Sequence, residues 1–301
     1  MTCDGSIQFI PPEQLAQTLK KKGRGIVVTH DSIEVSAPCS VSDENWNHMD
    51  KDHRPWIHRT YQDAVYLATG REFQVSLTSV KVLGLSLSIQ VTDVRLKEDL
   101  FYQCYSLFNL INVATVVRSL PGKVIVEQYI SSHFLLKPLH FYLKKRLYRL
   151  NEIQNAEDAP IRERRAELRR KGYMFDEAPD FISANQKSNH VQFPKLGKIH
   201  AISIRSIPVG TASTVSAGPV DLLVRPNQDG TFSIWTGACP HEGGPLEGKN
   251  ICPSGTEILC RWHGLRIQCL TLGGNTKTGS LGPFKLSIKT DAGELLIEDL
   301  E

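Results

Sequence analysis

The sequence predicts an α+β chain, in which a curved antiparallel sheet closed by a long C-terminal helix is followed by a small all-β domain. Three observations lead there. Long runs of β-branched and aromatic residues fill the first half of the chain, and a charged helical pattern then runs from 131 to about 171. From 187 to 298 the chain breaks into short strand-like runs separated by turns. With 301 residues and 41% hydrophobic content, the chain has material for two cored domains of about 100 to 200 residues each. The expected division is 1–175 for the first domain, 176–190 for a linker carrying Pro179, Ser183, Asn185, Gln186 and Ser188, and 191–301 for the second.

In chain order, 25–37 alternates as a strand, and 41 to about 56 has helical cap character beginning at Ser42 or Asp43. Long strands are expected over 73–83, 85–94, 100–107 and 123–130. The helix after Ser131 should be kinked or broken near Pro138 and Pro160, because proline lacks the amide donor. Short strands follow at 197–204, 220–224, 231–235, 257–260, 284–288 and 295–297. Hairpin turns are signalled by Asn227-Gln228-Asp229-Gly230 and by Asp291-Ala292-Gly293. The glycine- and threonine-rich stretch 273–280 lacks the G-K-[ST] order of a phosphate loop and reads as a plain loop.

Composition excludes several classes. No run of eighteen apolar residues occurs, and Met1-Thr2-Cys3-Asp4-Gly5 begins no signal peptide, so the expected location is the cytoplasm. A formal charge of +3 gives no reason to expect nucleic acid. The basic residues concentrate over 137–171, from Lys144, Lys145, Arg146 and Arg149 to Arg162, Arg164, Arg165, Arg169 and Arg170. The expected role is the solvated face of a long helix with local ion pairs, and the sharper reading is a docking face for an acidic electron donor or anionic lipid. Of the seven cysteines, Cys3, Cys39, Cys104, Cys252 and Cys269 show no framework spacing and should be reduced and mostly buried.

The remaining two cysteines sit in Cys239-Pro240-His241 and Cys260-Arg261-Trp262-His263-Gly264, eighteen residues apart. Each loop offers one thiolate and one imidazole. A Cys2His2 zinc site uses the same ligand types, but zinc fingers pair two cysteines and then two histidines, whereas here they alternate within glycine- and proline-bearing turns. The loops, with Glu242-Gly243-Gly244-Pro245-Leu246 after the first, resemble those of Rieske ferredoxins and Rieske oxygenases. That resemblance implies a 2Fe-2S cluster with Cys239 and Cys260 on one iron, His241 and His263 on the other, and electron transfer as its task. The family usually has proline where Arg261 stands. High-potential members carry two further cysteines where this chain has Gly244 and Trp262, and a serine and a tyrosine where it has Leu265 and Ile267. The resemblance therefore implies a lower-potential, oxygenase- or ferredoxin-type cluster.

The element order over about residues 5–175 resembles the helix-grip fold, also called the START or SRPBCC fold, whose sheet and helix enclose an apolar cavity. Rieske oxygenases join these two domain types and hold a mononuclear iron on an H-x4-H pair and a carboxylate. His48 and His53 have that spacing, and Asp158 is the expected carboxylate, ahead of Glu157 and Glu152. His58 repeats the spacing but is expected as a cavity or core histidine at the start of a strand. The family places Asp three residues before the first His, where this chain has Asn45, and it normally puts the Rieske domain first rather than last.

Two functions follow. The first is an oxygenase with Fe(II) at His48, His53 and Asp158, supplied with electrons by an NAD(P)H-dependent reductase or a ferredoxin, and acting on a hydrophobic molecule lodged against Val75, Leu77, Leu87, Ile89, Phe101, Tyr105, Val126 and Phe141. In the family such chains assemble as homo-oligomers. The second is a ferredoxin-like carrier fused to a hydrophobic-ligand-binding domain without mononuclear iron.

Overall fold

The computed structural model describes residues 26–82, 85–107, 111–177, 180–184, 190–289 and 293–300, together with Gln14 and Gln17. Cys3, residues 178–179 and 185–189 of the expected linker and the Asp291-Ala292 turn lie outside the described residues. The chain divides into two compact units, Met1–Glu163 with Ala178–Gln186, and Arg164–Glu177 with Lys187–Glu301. The division falls inside the long helix, so 164–177 group with the second unit rather than with the expected first domain.

In the first unit, seven antiparallel strands form one sheet: β1 (Ile26–Ser36), β2 (Tyr61–Thr69), β3 (Phe73–Val82), β4 (Leu85–Lys97), β5 (Leu100–Leu107), β6 (Ile111–Leu120) and β7 (Lys123–His133). Their order across the sheet is β1-β7-β6-β5-β4-β3-β2. Side chains alternate between faces. Leu100, Tyr102, Val116 and Tyr129 cluster on one face, and the intervening Phe101, Val117 and Val126 take the other. Two strands missing from the sequence reading have a common explanation. β6 buries residues on both its faces, Thr115 and Val117 on one and Val116 on the other, and the edge strand β2 carries two register shifts, so neither presents a clean alternation.

On the face bearing Phe101, the register aligns a row of polar residues across five strands: Gln74, Asp93, Gln103, Thr115 and Gln128. Gln74, Asp93, Thr115 and Gln128 are buried. A polar row inside a sheet is costly unless its members bond to one another or to something they enclose. Gln103 Nε2 donates to Asp93 Oδ1 at 2.9 Å.

The first unit also contains α1 (Val41–Met49) and the single turn α2 (Arg54–Ile57), where one continuous segment to about 56 was expected. Ser40 caps α1, its hydroxyl accepting from the Asp43 amide at 3.1 Å. Pro55 occupies the first turn of α2, a position that needs no amide donor. The long helix α3 (Lys137–Arg170) runs on through Pro160 without a break, and Pro138 lies in its first turn. Arg162, one turn past Asp158, reaches back with Nη2 to the Asn155 carbonyl at 2.8 Å, beside the place where the proline removes a donor. Arg162 and Arg165 are buried, so the basic stretch is not solely a solvated face. The short helix α4 (Phe181–Ala184) completes this unit.

The second unit opens with the last turns of α3 and the pair β8 (Met174–Phe175) and β9 (Val191–Gln192). One four-stranded sheet is built from β10 (His200–Ser203), β19 (Glu294–Asp299), β18 (Phe284–Lys289) and β17 (Thr278–Leu281) in that order. The other contains β11 (Ser213–Ala217), β12 (Val220–Pro226), β13 (Phe232–Thr236) and β16 (Leu270–Leu272). A core including Leu222, Val224 and Ile234 from the second sheet and Phe284, Leu286 and Ile297 from the first holds them together, at about 1.5 to 3 kcal/mol per fully buried side chain. The hairpin of β14 (Glu257–Cys260) and β15 (Leu265–Gln268) stands apart from both sheets. Among the described residues no helix is long and apolar enough to cross a membrane. Cys39, Cys104, Cys252 and Cys269 are free thiols and none is fully buried, contrary to expectation.

The ion pair between Arg162 Nη1 and Glu44 Oε1, 2.9 Å apart with both side chains buried, ties α3 to α1. Burial opposes ionisation of Glu44, but hydrogen bonds from His48 and Arg162 outweigh it and hold the carboxyl below its ordinary value. Its contribution is therefore present above the ordinary glutamate pKa of about 4.3 and lost as pH falls below it. Arg162→Met should cost about 3 to 5 kcal/mol in urea unfolding, because it strands a buried carboxylate. Glu44→Gln should flatten the decline in stability between about pH 5 and 3; an unchanged slope would remove Glu44 as its source.

Candidate functional site

Two sites emerge, one in each unit. In the second unit, Cys239 follows β13 in a turn closed by two bonds, Cys239 N to Gly244 O and Gly243 N to Cys239 O, both 2.8 Å. Cys260 ends β14, and Arg261-Trp262-His263-Gly264 form the tight connection to β15, with Gly264 at φ 66°. Gly244 is where the two loops meet. A Cβ there would lie 2.8 Å from Cys260 Sγ and 3.0 Å from the Trp262 ring, so a larger residue would push the loops apart.

All four expected ligands are buried in this region. His241 Nδ1 and His263 Nδ1 face each other at 3.3 Å, with the rings nearly perpendicular at 83°. The thiols of Cys239 and Cys260 are hydrogen-bonded to each other, which lowers Cys260 to about 7 and raises Cys239 well above its ordinary value. One thiolate thus forms near neutrality, and the pair holds the second proton. Among the described residues, the sets of three or more donor atoms converging within 4.8 Å are His53/His58/Asp158 and His190/His241/Glu242. The four expected ligands form a sulfur pair and an imidazole pair rather than one such set. A single tetrahedral zinc would draw all four together, whereas a two-iron cluster takes one pair on each iron. The donor set fits the cluster.

Glu242, beside His241, is buried and doubly held: Arg165 Nη1 lies 2.5 Å from Oε2, and His190 Nδ1 lies 2.6 Å from Oε1. His190 is raised above its ordinary pKa, first by this hydrogen bond. The His190 amide also donates to the His241 carbonyl at 3.1 Å. These contacts brace the first ligand loop.

In the first unit, the structure gathers His53, His58 and Asp158. His58 Nε2 is 3.3 Å and His53 Nε2 is 3.6 Å from Asp158 Oδ1. The two imidazoles flank α2, and that single turn swings both toward α3. Their outer nitrogens are backed by carboxylates, His53 Nδ1 by Asp50 at 3.4 Å and His58 Nδ1 by Glu157 at 3.2 Å. Burial lowers His58 to about 4. Burial also opposes charge on His53, but the Asp158 and Asp50 carboxylates beside it prevail and raise it to about 9. Asp158 is held well below its ordinary value, its burial outweighed by His53 and His58.

The converging set differs from the expected one. His48 is committed elsewhere, its Nε2 2.9 Å from Glu44 Oε1 one turn back on α1. His58, expected as a cavity or core histidine in a strand, takes its place because Pro55 starts a helical turn and β2 begins only at Tyr61. Asn45, the expected bridging position, donates to the Glu98 carbonyl. Glu152 is an exposed-side partner of Arg149 at 3.7 Å. One feature of the sequence marks the converging pair: Asp50 stands three residues before His53, and His58 lies five after it.

The cavity beside these residues also differs from expectation. Phe101 and Val126 line it with Val117, but most of its wall is polar: Asn47, His48, Lys51, Arg54, Tyr61, Asp93, Gln103, Thr115, Asn151, Gln154 and Asn155. Its volume is about 60 Å³. Phe141 is on the exposed side of α3 at 63% exposure, and Leu77 is 38% exposed. The apolar pocket inferred from the strands fails because Asp93, Gln103 and Gln128 share a face with Phe101 and Val126, and because Val75 and Leu77 lie on the opposite face of the sheet.

Comparison with known proteins bears on the second unit. No curated protein sequence matches the chain. Solved structures similar to its fold include the di-domain ARO/CYC StfQ from the steffimycin biosynthetic pathway, at 13% identity and TM-score 0.41 over 46% of this chain and 52% of that one. The chain thus spans about half the length of that protein. Others are the Zhui aromatase/cyclase from Streptomyces sp. R1128, at 14% identity and TM-score 0.38 over 46% of this chain and 95% of that one, and a START superfamily protein from Mycobacterium smegmatis, at 11% identity and TM-score 0.33 over 43% and 98%. Residues 198–279 match the family model of the Rieske [2Fe-2S] domain, a span that holds Cys239, His241, Cys260 and His263 and implies a 2Fe-2S cluster, redox partners and electron transfer.

Proposed function

We propose that the chain is a Rieske-type non-heme iron oxygenase whose mononuclear iron is held by His53, His58 and Asp158. The observation that carries this reading is the convergence of two imidazoles and one carboxylate on a buried point, with each outer imidazole nitrogen backed by its own carboxylate. That is the outer-shell pattern of metal-binding histidines. Separations of 3.3 and 3.6 Å are long for hydrogen bonds, and they suit ligands on adjacent positions of one ion, which lie about 3 Å apart when bonds are about 2.1 Å. The spacing Asp50, His53, His58 also meets the pattern of Rieske oxygenases, which the expected set led by Asn45 did not.

When bound, the cluster supplies single electrons and Fe(II) supplies dioxygen activation. The chain's own part is orientation and exclusion. Asp50 and Glu157 fix the imidazoles so that both inner nitrogens point to Asp158, and the burial of His53 and His58 keeps bulk water from the site. His53 must lose its proton before it can ligate. Cys239 and Cys260 offer the thiolate pair, His241 and His263 the imidazole pair, and the electron donor is of the NAD(P)H-dependent reductase or ferredoxin class.

Purified protein should contain two irons and two acid-labile sulfides per chain at the Rieske site; colourless protein with one zinc and no sulfide would refute it. Leu265 and Ile267 have no hydroxyl with which to bond a cluster sulfur, and Gly244 and Trp262 offer no disulfide. The potential should therefore fall in the lower half of the range of about −150 to +300 mV. A value near the top would contradict the comparison.

Anaerobic loading with Fe(II) should add a third iron. His53→Ala or His58→Ala should abolish it, Asp158→Ala should weaken it, and His48→Ala should leave it in place, with the reduced-cluster EPR signal intact in all four. Loss of the third iron in His48→Ala with retention in His58→Ala would restore the ligand set read from the sequence. Iron that never exceeds two per chain would leave the carrier with a ligand-binding domain as the function.

A further inference from the structure

The cavity beside His53, His58 and Asp158 contains charges that answer one another and buried polar atoms with no hydrogen-bond partner, among them Asp93 Oδ2 and atoms of Arg54 and Asn47. Lys51, buried, places its ammonium 3.0 Å from Asp93 Oδ1. Asp158 is met by the two imidazoles. Arg54 is only 8% exposed, yet its Nη1 has no hydrogen-bond partner, and its Nη2 comes no nearer than 3.9 Å to Asp93 Oδ1. Asn47, 3% exposed, has no partner for either its amide nitrogen or its amide oxygen. Both side chains line the cavity. Withdrawing a guanidinium nitrogen and a complete amide from water without a partner forfeits their hydration, most expensively for the charged group. A fold keeps such groups when something else completes them.

We infer that Arg54 and Asn47 form the subsite for the carboxylate of a small organic acid, with the guanidinium and the amide nitrogen donating to its oxygens. Arginine is suited to this task because its planar fork matches a carboxylate. Size agrees with a small ligand, since about 60 Å³ is room for a few waters at about 10 to 15 Å³ each, or for a carboxylate and a short carbon stem. Phe101, Val117 and Val126 give that stem an apolar wall. The inference deepens the oxygenase reading by naming its substrate class, an organic acid instead of the hydrophobic molecule the sequence led us to expect.

The test is a titration of the full-length, cluster-loaded protein with trifluoroacetate and, separately, trifluoroethanol, followed by fluorine NMR at low salt. These probes share the CF3 group and differ in the carboxylate. The three-donor site is left without metal in one series and filled with zinc in another, so the result does not depend on iron or turnover. Trifluoroacetate should bind saturably and at least tenfold more tightly than trifluoroethanol in both series. Arg54→Met should weaken it at least tenfold, Arg54→Lys should restore part of that loss, and Asn47→Ala should weaken it severalfold; none should change trifluoroethanol. Asn47→Ala carries the test if substitution next to His53 disturbs folding. Equal affinity for the two probes, or trifluoroacetate affinity unchanged in both Arg54→Met and Asn47→Ala, would overturn the inference. Failure to bind a third iron would overturn the oxygenase reading alone, because anion binding is read without iron.

Discussion

A charged group withdrawn from water must meet an opposite charge, and that constraint organises both units. In the first unit, Glu44 meets Arg162 and His48, Lys51 meets Asp93, and Asp158 meets His53 and His58. In the second, Glu242 meets Arg165 and His190. Such pairs contribute less to net stability than their number implies, because desolvation consumes much of the attraction. Their larger effect is on uniqueness: apart from Glu44 with His48, each pair joins residues far apart in sequence, so a misplaced helix or strand would strand a charge.

The same constraint links fold to chemistry. The polar row across β3 to β7 places Asp93, Gln103 and Thr115 on the cavity side of the sheet, and α3 returns Asn151, Gln154, Asn155 and Asp158 toward them at helical spacing. A sheet and a helix that would ordinarily bury apolar faces against each other enclose a polar, charged interior here. Such an interior suits metal ligation and polar ligands, because carboxylates can orient imidazoles there without competition from bulk water.

In the second unit the logic is local. The two ligand loops are short, closed by their own backbone bonds, and rest on a conventional apolar core, so their geometry depends little on distant charges. Gly244 matters for steric reasons, since the close approach of the loops leaves no room for a side chain. The brace of Glu242 by Arg165 and His190 is the exception, a buried charged contact set against the first loop.

The order of sheet, long helix and small all-β domain was legible in the sequence because alternation and helical periodicity are properties of neighbouring residues. So were the two cysteine–histidine loops, whose residues lie within three positions of each other and fall within the matched 198–279 span. Strands β2 and β6 were not legible, one for its bulges and the other because both its faces are buried. The choice between His48/His53 and His53/His58 could not be made from spacing, since the intervals are equal; only the positions of Asp158 on α3 and Glu44 on α1 decide which imidazoles converge. The character of the cavity was likewise a tertiary matter. Alternation assigns residues to two faces, but which face turns toward α3, and that Gln103 and Gln128 share it with Phe101 and Val126 in one aligned row, depends on strand register and packing against residues distant along the chain.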